Sequence, residues 1–386
     1  ELSVFNISKN KSVDSYCLNK GEGIRLDQIS AGEGESITDA YVDIGNFYGF
    51  SHQQAFLGYE SFIVEPNEYT NENSSYYSNV QPGTFNQTFR SISRGYNGKL
   101  TANIGMQYND NLYFGINLNS HFIDYDNYTI LNESNENGNP GQFRINGIYF
   151  ENRLSTFGEG FSAQFGMISK ISDVIRIGFT YDTPTWFTIT EETTQYLETS
   201  MIDEFDENSL LVTNPNAINV YEDYTIQMPS KITASGAFVF KNFGLISFDY
   251  SRKDYGSMKF KPENDNYFSN LNQNINLSLK EINTYRIGAE IISDRFSFRG
   301  GYMTQDSPYN SSSSNTTAVA YDNNVDDSIN GFSLGIGYKL NQSTIDLSFV
   351  KLNKSEYKRL YDTGLTNQVH LNTDNTMLTI SISTIF

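Results

Sequence analysis

Three histidines, His52, His121 and His370, and one cysteine, Cys17, supply every imidazole and thiol in the chain. They stand far apart, with no His-x-x-His or His-Glu-x-x-His spacing, so no zinc-protease helix is written here. A lone cysteine permits neither an internal disulfide nor a multi-cysteine metal site. Asp322, Asp326 and Asp327 sit close together but lack the full ligand spacing of a calcium loop. No serine–histidine pair can be picked out for acyl transfer. The chain is therefore expected not to be an enzyme, with no cofactor and no metal. A net charge of -19 argues against a nucleic-acid partner, because neutralising phosphates takes clustered Lys and Arg. Part of that acid lies between Thr188 and Asn208, which reads as a solvated loop.

The polar residues that remain are placed by the elements carrying them. Much of the chain alternates apolar with polar residues, the period of a two-faced strand. Phe332, Leu334, Ile336, Tyr338 and Leu340 oppose Ser333, Gly335, Gly337 and Lys339. Leu378, Ile380, Ile382 and Phe386 oppose Thr379, Ser381 and Ser383. Such segments come in pairs joined by short turns (Asn341-Gln342, Ser293-Asp294, Lys241-Asn242, Ser172-Asp173 and Asn109-Asp110-Asn111). Long polar connections separate the pairs. Aromatics make up 15% of the residues while mean hydropathy is -0.47, as expected where one strand face meets lipid and the other water. No run of about 18 apolar residues offers a transmembrane helix.

These features predict an all-β fold, a transmembrane antiparallel up-and-down β-barrel with about twelve visible strands counting Leu2 to Ser8. Residues 1–386 form one barrel domain. Residues 10–95 form a large extracellular loop with a short helix near 37–48, capped by Ser36 with Asp39 and ended by Gly49. Ala55 to Val64 is a strand or a second packed helix. Pro184 marks where its strand leaves the membrane. The implied location is the bacterial outer membrane, crossed many times.

Strand parity turns Asn117, Asn119, His121, Arg176, Asp182, Asp249, Arg286, Glu290 and Arg299 toward the lumen. They either form a salt-bridged network or grip a ligand carboxylate, with the network favoured because unpaired charges are costly to enclose. Loop residues Phe47, Phe50, Phe56, Leu57 and Phe62, with Phe143, Ile145, Ile148, Tyr149 and Phe150 from the connection after Asn132, form an outer apolar groove for a ligand. The alternative is that the two loops pack on each other as a lid.

Certain segments carry a family resemblance: Gln54-Ala55-Phe56-Leu57-Gly58-Tyr59, Leu112-Tyr113-Phe114-Gly115-Ile116-Asn117, Phe179-Thr180-Tyr181-Asp182-Thr183-Pro184-Thr185-Trp186-Phe187 and Met228-Pro229-Ser230-Lys231-Ile232. With the helix-bearing outer loop, and with the second segment running on through Leu118-Asn119-Ser120-His121-Phe122, they resemble the FadL/TodX family of outer-membrane transporters for long-chain fatty acids and hydrocarbons, Bacteroidota branch. The resemblance implies fourteen strands and an N-terminal hatch. No hatch motif occurs, and Glu1 is expected to enter at the family's third strand. It implies passive uptake of hydrophobic small molecules, with membrane lipid and the ligand as partners. The alternative is an accessory or shuttle subunit of a larger outer-membrane complex, of the kind that serves type IX secretion, with other outer-membrane proteins as partners.

Overall fold

The computed structural model describes residues 23–241, 243–310, 328–358 and 369–384. Leu2 to Ser8, Cys17, Asp322, Asp326, Asp327 and Phe386 lie outside them.

Among the described residues the chain is mostly β, as expected. A helical hairpin comes first, α1 (Ile37–Tyr48) and α2 (Phe50–Glu60), then the short pair β1 (Val64–Pro66) and β2 (Tyr76–Ser78). Long strands follow: β3 (Phe85–Asn109), β4 (Leu112–Asn135) and β5 (Arg144–Lys170). β6 (Ile175–Asp182) and β7 (Thr185–Ile202) are one strand path broken at Thr183-Pro184. β8 (Asn208–Thr213), β9 (Asn219–Val220) and β10 (Tyr224–Met228) run back along β7, and β11 (Lys231–Phe240) continues down beside β6. After β12 (Gly244–Asp254), β13 (Lys259–Lys261) and helix α3 (Asn266–Ser278) come β14 (Glu281–Ser293), β15 (Phe296–Gln305), β16 (Ile329–Leu340), β17 (Ser343–Lys358) and β18 (Val369–Thr384). Each long strand pairs antiparallel with the next, and β3 and β18 have one neighbour each among the described residues.

The registers carry one apolar face across the sheet. Phe332 stands opposite Tyr302, Tyr302 opposite Ile287, and Ile287 opposite Phe248, and all four are exposed. On β3 the exposed run extends from Leu100 to Tyr108, and on β4 from Phe114 to Phe122. Nine residues at about 3.4 Å each, tilted by about 40°, cover roughly 23 Å, close to the height of a lipid-facing band. Ion pairs on this same face mark its upper edge at three places. Arg153 meets Asp126 at 2.8 Å, Lys351 meets Asp374 at 3.1 Å, and Arg252 meets Glu281. Ion pairs belong at the edge of such a band because charge at its middle is costly.

The break at Pro184 has a counterpart that strand reading missed. Asp182 pairs with Lys231 below it and Thr185 with Met228 above it, so Thr183-Pro184 faces Pro229-Ser230 across neighbouring strands. Proline offers no ladder N–H, and the two segments leave their mutual ladder at one level, while Thr183 keeps its backbone bond to Ala163 on β5 at 2.9 Å.

Three expectations change. The acidic stretch after Thr188 is strand β7 up to Ile202, not a loop, because it packs between β5 and β8. Its acids fit a strand because only one face is buried, by Ile189, Thr193, Gln195, Leu197 and Thr199. The connection expected from Asn132 to Gly160 shrinks to the few residues between β4 and β5, and Ile145 to Phe150 belong to β5. Alternation there was masked by a register shift between Ile145 and Gly147. Strand β3 also begins earlier than the expected Leu100, at Phe85.

Candidate functional site

Helix α1 starts where expected. Ser36 accepts the Asp39 backbone N–H at 3.1 Å, satisfying a first-turn donor. Gly49, at φ 87°, then turns the chain directly into α2. Ala55 to Glu60 is thus helix, and the apolar residues around it go inward. Tyr41, Phe56, Leu57, Ile63, Val64, Leu131, Ile145, Ile148, Phe150 and Leu197 form one buried cluster between the hairpin and the upper parts of β4, β5 and β7. Burial of each large side chain is worth about 1.5–3 kcal/mol.

A polar network beneath the hairpin sets its position. The Tyr41 hydroxyl donates to Gln195 Oε1 at 2.8 Å, and Gln53 Nε2 donates to Asn219 Oδ1 at 2.9 Å. Asn219 Nδ2 lies 3.1 Å from the Tyr41 hydroxyl and 3.2 Å from Thr193 Oγ1. Burial raises the Tyr41 phenol far above its ordinary range. A Cβ on Gly45 would overlap the Gln53 amide and push it from its bond to Asn219. At the other end of α2, Thr199 donates to the Ser61 carbonyl at 3.0 Å. Helix α2 therefore climbs β7 in the same sense, and the α1–α2 junction hangs toward the level of Pro184.

The ten expected groove residues divide accordingly. Phe56, Leu57, Ile145, Ile148 and Phe150 are buried in the cluster and offer no surface to a ligand. The lid arrangement accounts for them, because the two loop regions satisfy each other's apolar surface. Phe62 and Phe143 meet edge to face with centroids 6.3 Å apart, and Tyr149 donates its hydroxyl to Glu151. Phe47, 78% exposed, and half-exposed Phe50 stand at the junction, beside Tyr48, which stacks on His52 at 5.2 Å.

The nine parity-assigned polar residues all lie on the face opposite the apolar band, in two groups. On β3–β6 and β11 they join lateral ladders. Asn103 donates to Asn117, Asn117 to Gln164 at 2.9 Å, and Lys231 pairs with Asp182 at 2.8 Å. One row up, Thr101 donates to Asn119 at 2.9 Å and Asn119 to Ser162 at 3.2 Å. His121 Nε2 lies 2.8 Å from the same Ser162 Oγ. Ser162 is 5% exposed, and the His121 ring meets Phe187 edge to face with centroids 5.5 Å apart.

On β12–β17 the same face is lined by small residues. A cavity of 470 Å³ opens there, floored by Ser247, Gly288, Gly301 and Ser333 with Leu245, Met303, Val350 and Leu352 around them. Asp249 and Arg286 edge it at one level, Glu290 and Arg299 at another. Arg299 meets Glu290 at 3.0 Å and also reaches Asp346 on β17, crossing over β16. It can do so because β16 carries Gly335 and Gly337, and a Cβ on Gly337 would meet the Asp346 carboxylate. Arg176 lies on the polar face of β6. Sequence reading grouped Glu290 with Arg299 and set Asp346 on the polar face of its strand, but did not join Asp346 to them. Its signal was the period of β17, which sets Asp346 opposite Ile345 and Leu347.

No family model and no curated protein matches the chain. Among solved structures it is similar to the Ralstonia pickettii toluene transporter TbuX, at 15% identity and a TM-score of 0.40 over 78% of this chain and 69% of that one. It is also similar to the Pseudomonas putida toluene transporter TodX, at 12% identity and a TM-score of 0.35 over 78% and 87%. A Pseudomonas aeruginosa FadL homologue aligns at 10% identity and a TM-score of 0.41 over 73% and 76%.

Proposed function

We propose that this chain is a multi-pass wall in the bacterial outer membrane through which small hydrophobic molecules, long-chain fatty acids among them, pass without an energy source. The observation that carries this reading is the opposition of two faces on the same strands. One is an apolar band edged by ion pairs, and the other is polar with an open cavity. Such segregation suits a strand wall between lipid and a wet interior. Among the described residues the helical hairpin's buried cluster draws its sheet side chains chiefly from β4, β5 and β7, away from the cavity on β12–β17. Phe47, Tyr48 and Phe50 at its junction would give an arriving apolar molecule its first contact.

Liposomes containing the protein should take up radiolabelled palmitate and toluene faster than empty ones, saturably. Phe47→Asp with Tyr48→Asp should cut that uptake several-fold. Uptake equal to that of protein-free liposomes for both probes would sink the reading.

A second reading has its own observation. Strands β3, β4, β5 and β7 continue far above the apolar band, and their continuation presents Tyr128, Tyr149 and Tyr196 beside Arg90, Arg94 and Arg153 on the same outward face. Tyrosine and arginine are enriched at protein interfaces, which favours a subunit of a larger outer-membrane assembly. Gentle purification from native membranes, followed by identification of stoichiometric companions, separates the two. A solitary barrel would count against the subunit.

A further inference from the structure

The cavity on β12–β17 is edged by two opposed pairs of charges, and they behave differently. Glu290 and Arg299 face each other in register on β14 and β15 and close an ion pair at 3.0 Å. Asp249 and Arg286 face each other in register on β12 and β14 and edge the same cavity. Neither makes an ion pair with the other or with any other described residue. Two opposite charges side by side, both open to one cavity, are complementary to a ligand that carries both signs. A pure anion on Arg286 would be repelled by Asp249, and a pure cation on Asp249 by Arg286.

We infer that this open pair and the floor below it form a binding site for a compact zwitterion with an apolar body, of the kind an apolar α-amino acid presents. The guanidinium takes the carboxylate through two parallel N–H donors, and the Asp249 carboxylate accepts the ammonium. Directly opposed side chains have Cβ atoms about 5 Å apart, which suits two charges separated by one carbon. The body rests on Ser247, Gly288, Gly301 and Ser333, where the wall is shaved to its backbone, against Leu245, Met303 and Val350. Its length is bounded. Glu290 follows Arg286 by four residues, about 14 Å along the strand, and there the closed Arg299 layer begins. A long extended chain does not fit upright between the two layers, whereas a single ring does. The cavity of 470 Å³ lies in the range of small-molecule sites. This inference rests on reading the polar face as the interior of a passage.

Calorimetric titration of the full chain in detergent tests it with four probes that share one body: phenylalanine, 3-phenylpropionate, phenethylamine and propylbenzene. Phenylalanine should bind at least tenfold more tightly than any of the others. Arg286→Ala should weaken phenylalanine to the level of phenethylamine, and Asp249→Asn should weaken it to the level of 3-phenylpropionate. Gly301→Val, whose Cβ begins 2.8 Å from Ser333 Oγ, should weaken phenylalanine while both charges stay in place. Preservation of heat-modifiable migration in detergent gels shows that each variant has folded. The site is overturned if wild type fails to prefer phenylalanine over propylbenzene, or if neither charge substitution moves that preference. Failure of wild-type liposomes to pass propylbenzene would instead count against the hydrophobic passage, and that result is independent of the titration.

Discussion

The two halves of the polar face are built from the same strand geometry and end in opposite states. On β3–β7 the side chains are amides, hydroxyls and a histidine long enough to reach the next strand, and they close on one another in ladders. Above them the hairpin fills what space is left, and its Tyr41–Gln53–Asn219 network ties it to Gln195 and Thr193 of β7. On β12–β17 glycine and serine replace those side chains, the space stays open, and one of two opposed charge pairs stays open with it. The difference separates a wall that holds an element in place from a wall that can hold a visitor. Side-chain length and completeness of pairing decide which is which, and both are set by composition at alternate positions.

The comparison breaks most visibly if the filled half is emptied. Phe56 is 0% exposed at the centre of the hairpin's cluster. Phe56→Ala should cost that packing about 3–5 kcal/mol, the usual loss for a buried phenyl ring. The cluster's buried long-strand residues lie on the upper parts of β4, β5 and β7, and the apolar band below is held by its own ladders. Limited proteolysis should therefore cut the hairpin first, while heat-modifiable migration in detergent stays as in wild type. Simultaneous loss of both would mean that hairpin and sheet form one cooperative unit.

A smaller effect tests the network. Asn219→Ala removes the amide that joins Tyr41, Gln53 and Thr193, and each buried partner left unsatisfied costs about 1–3 kcal/mol. Hydrogen exchange should speed up in α1 and α2 and hardly at all in β14–β17. Equal acceleration in both halves would erase the distinction drawn between them.

On the open half, Arg299→Ala should cost only about 1 kcal/mol. Its guanidinium side chain is 43% exposed, so water and salt screen both of its ion pairs. The loss should shrink in high salt, as measured by urea titration of the detergent-solubilised protein. A loss of several kcal/mol would mean that the Glu290–Arg299–Asp346 group is enclosed, not screened.

The strands were legible because their period is strict. Phe332, Leu334 and Ile336 alternate with Ser333, Gly335 and Gly337, and the structure exposes the first three together. The helix at Ile37 was equally plain, with Ser36 before it and Gly49 after. The state of the apolar loop residues was not legible. Phe47 and Phe56 look alike in a list of aromatics, yet one is exposed and the other is sealed, because only the fold decides which side of the hairpin meets β5 and β7. The polar residues split in the same way. Parity placed Arg286 and Arg299 on one face, but whether each finds a partner depends on the neighbour's side chain. Arg299 lies over two glycines and reaches Asp346, and no period in its own strand announces that. Pro229 was read only as part of a resemblance, since nothing local shows that it stands opposite Pro184.

The smallest effect concerns pH and bears on the one part of the hairpin that leaves the filled half, its junction. His52 stacks on Tyr48 there, and partial burial lowers its pKa from the usual 6.5, outweighing an opposing hydrogen bond with the Tyr48 backbone. A base whose folded pKa lies below its unfolded one binds protons more weakly when folded. Stability from this group is thus complete above about pH 6.5 and falls as pH drops through that value toward the folded pKa. Hydrogen exchange at the α1–α2 junction, taken as a ratio to exchange in β12 so that the intrinsic pH dependence cancels, should rise between pH 7.5 and 5.5. His52→Gln removes the titrating group and should flatten that ratio. A ratio that rises equally in the variant would assign the loosening to another group. A ratio flat in wild type would mean that the junction is as firmly held as the rest of the hairpin, and the filled half would then extend to its tip.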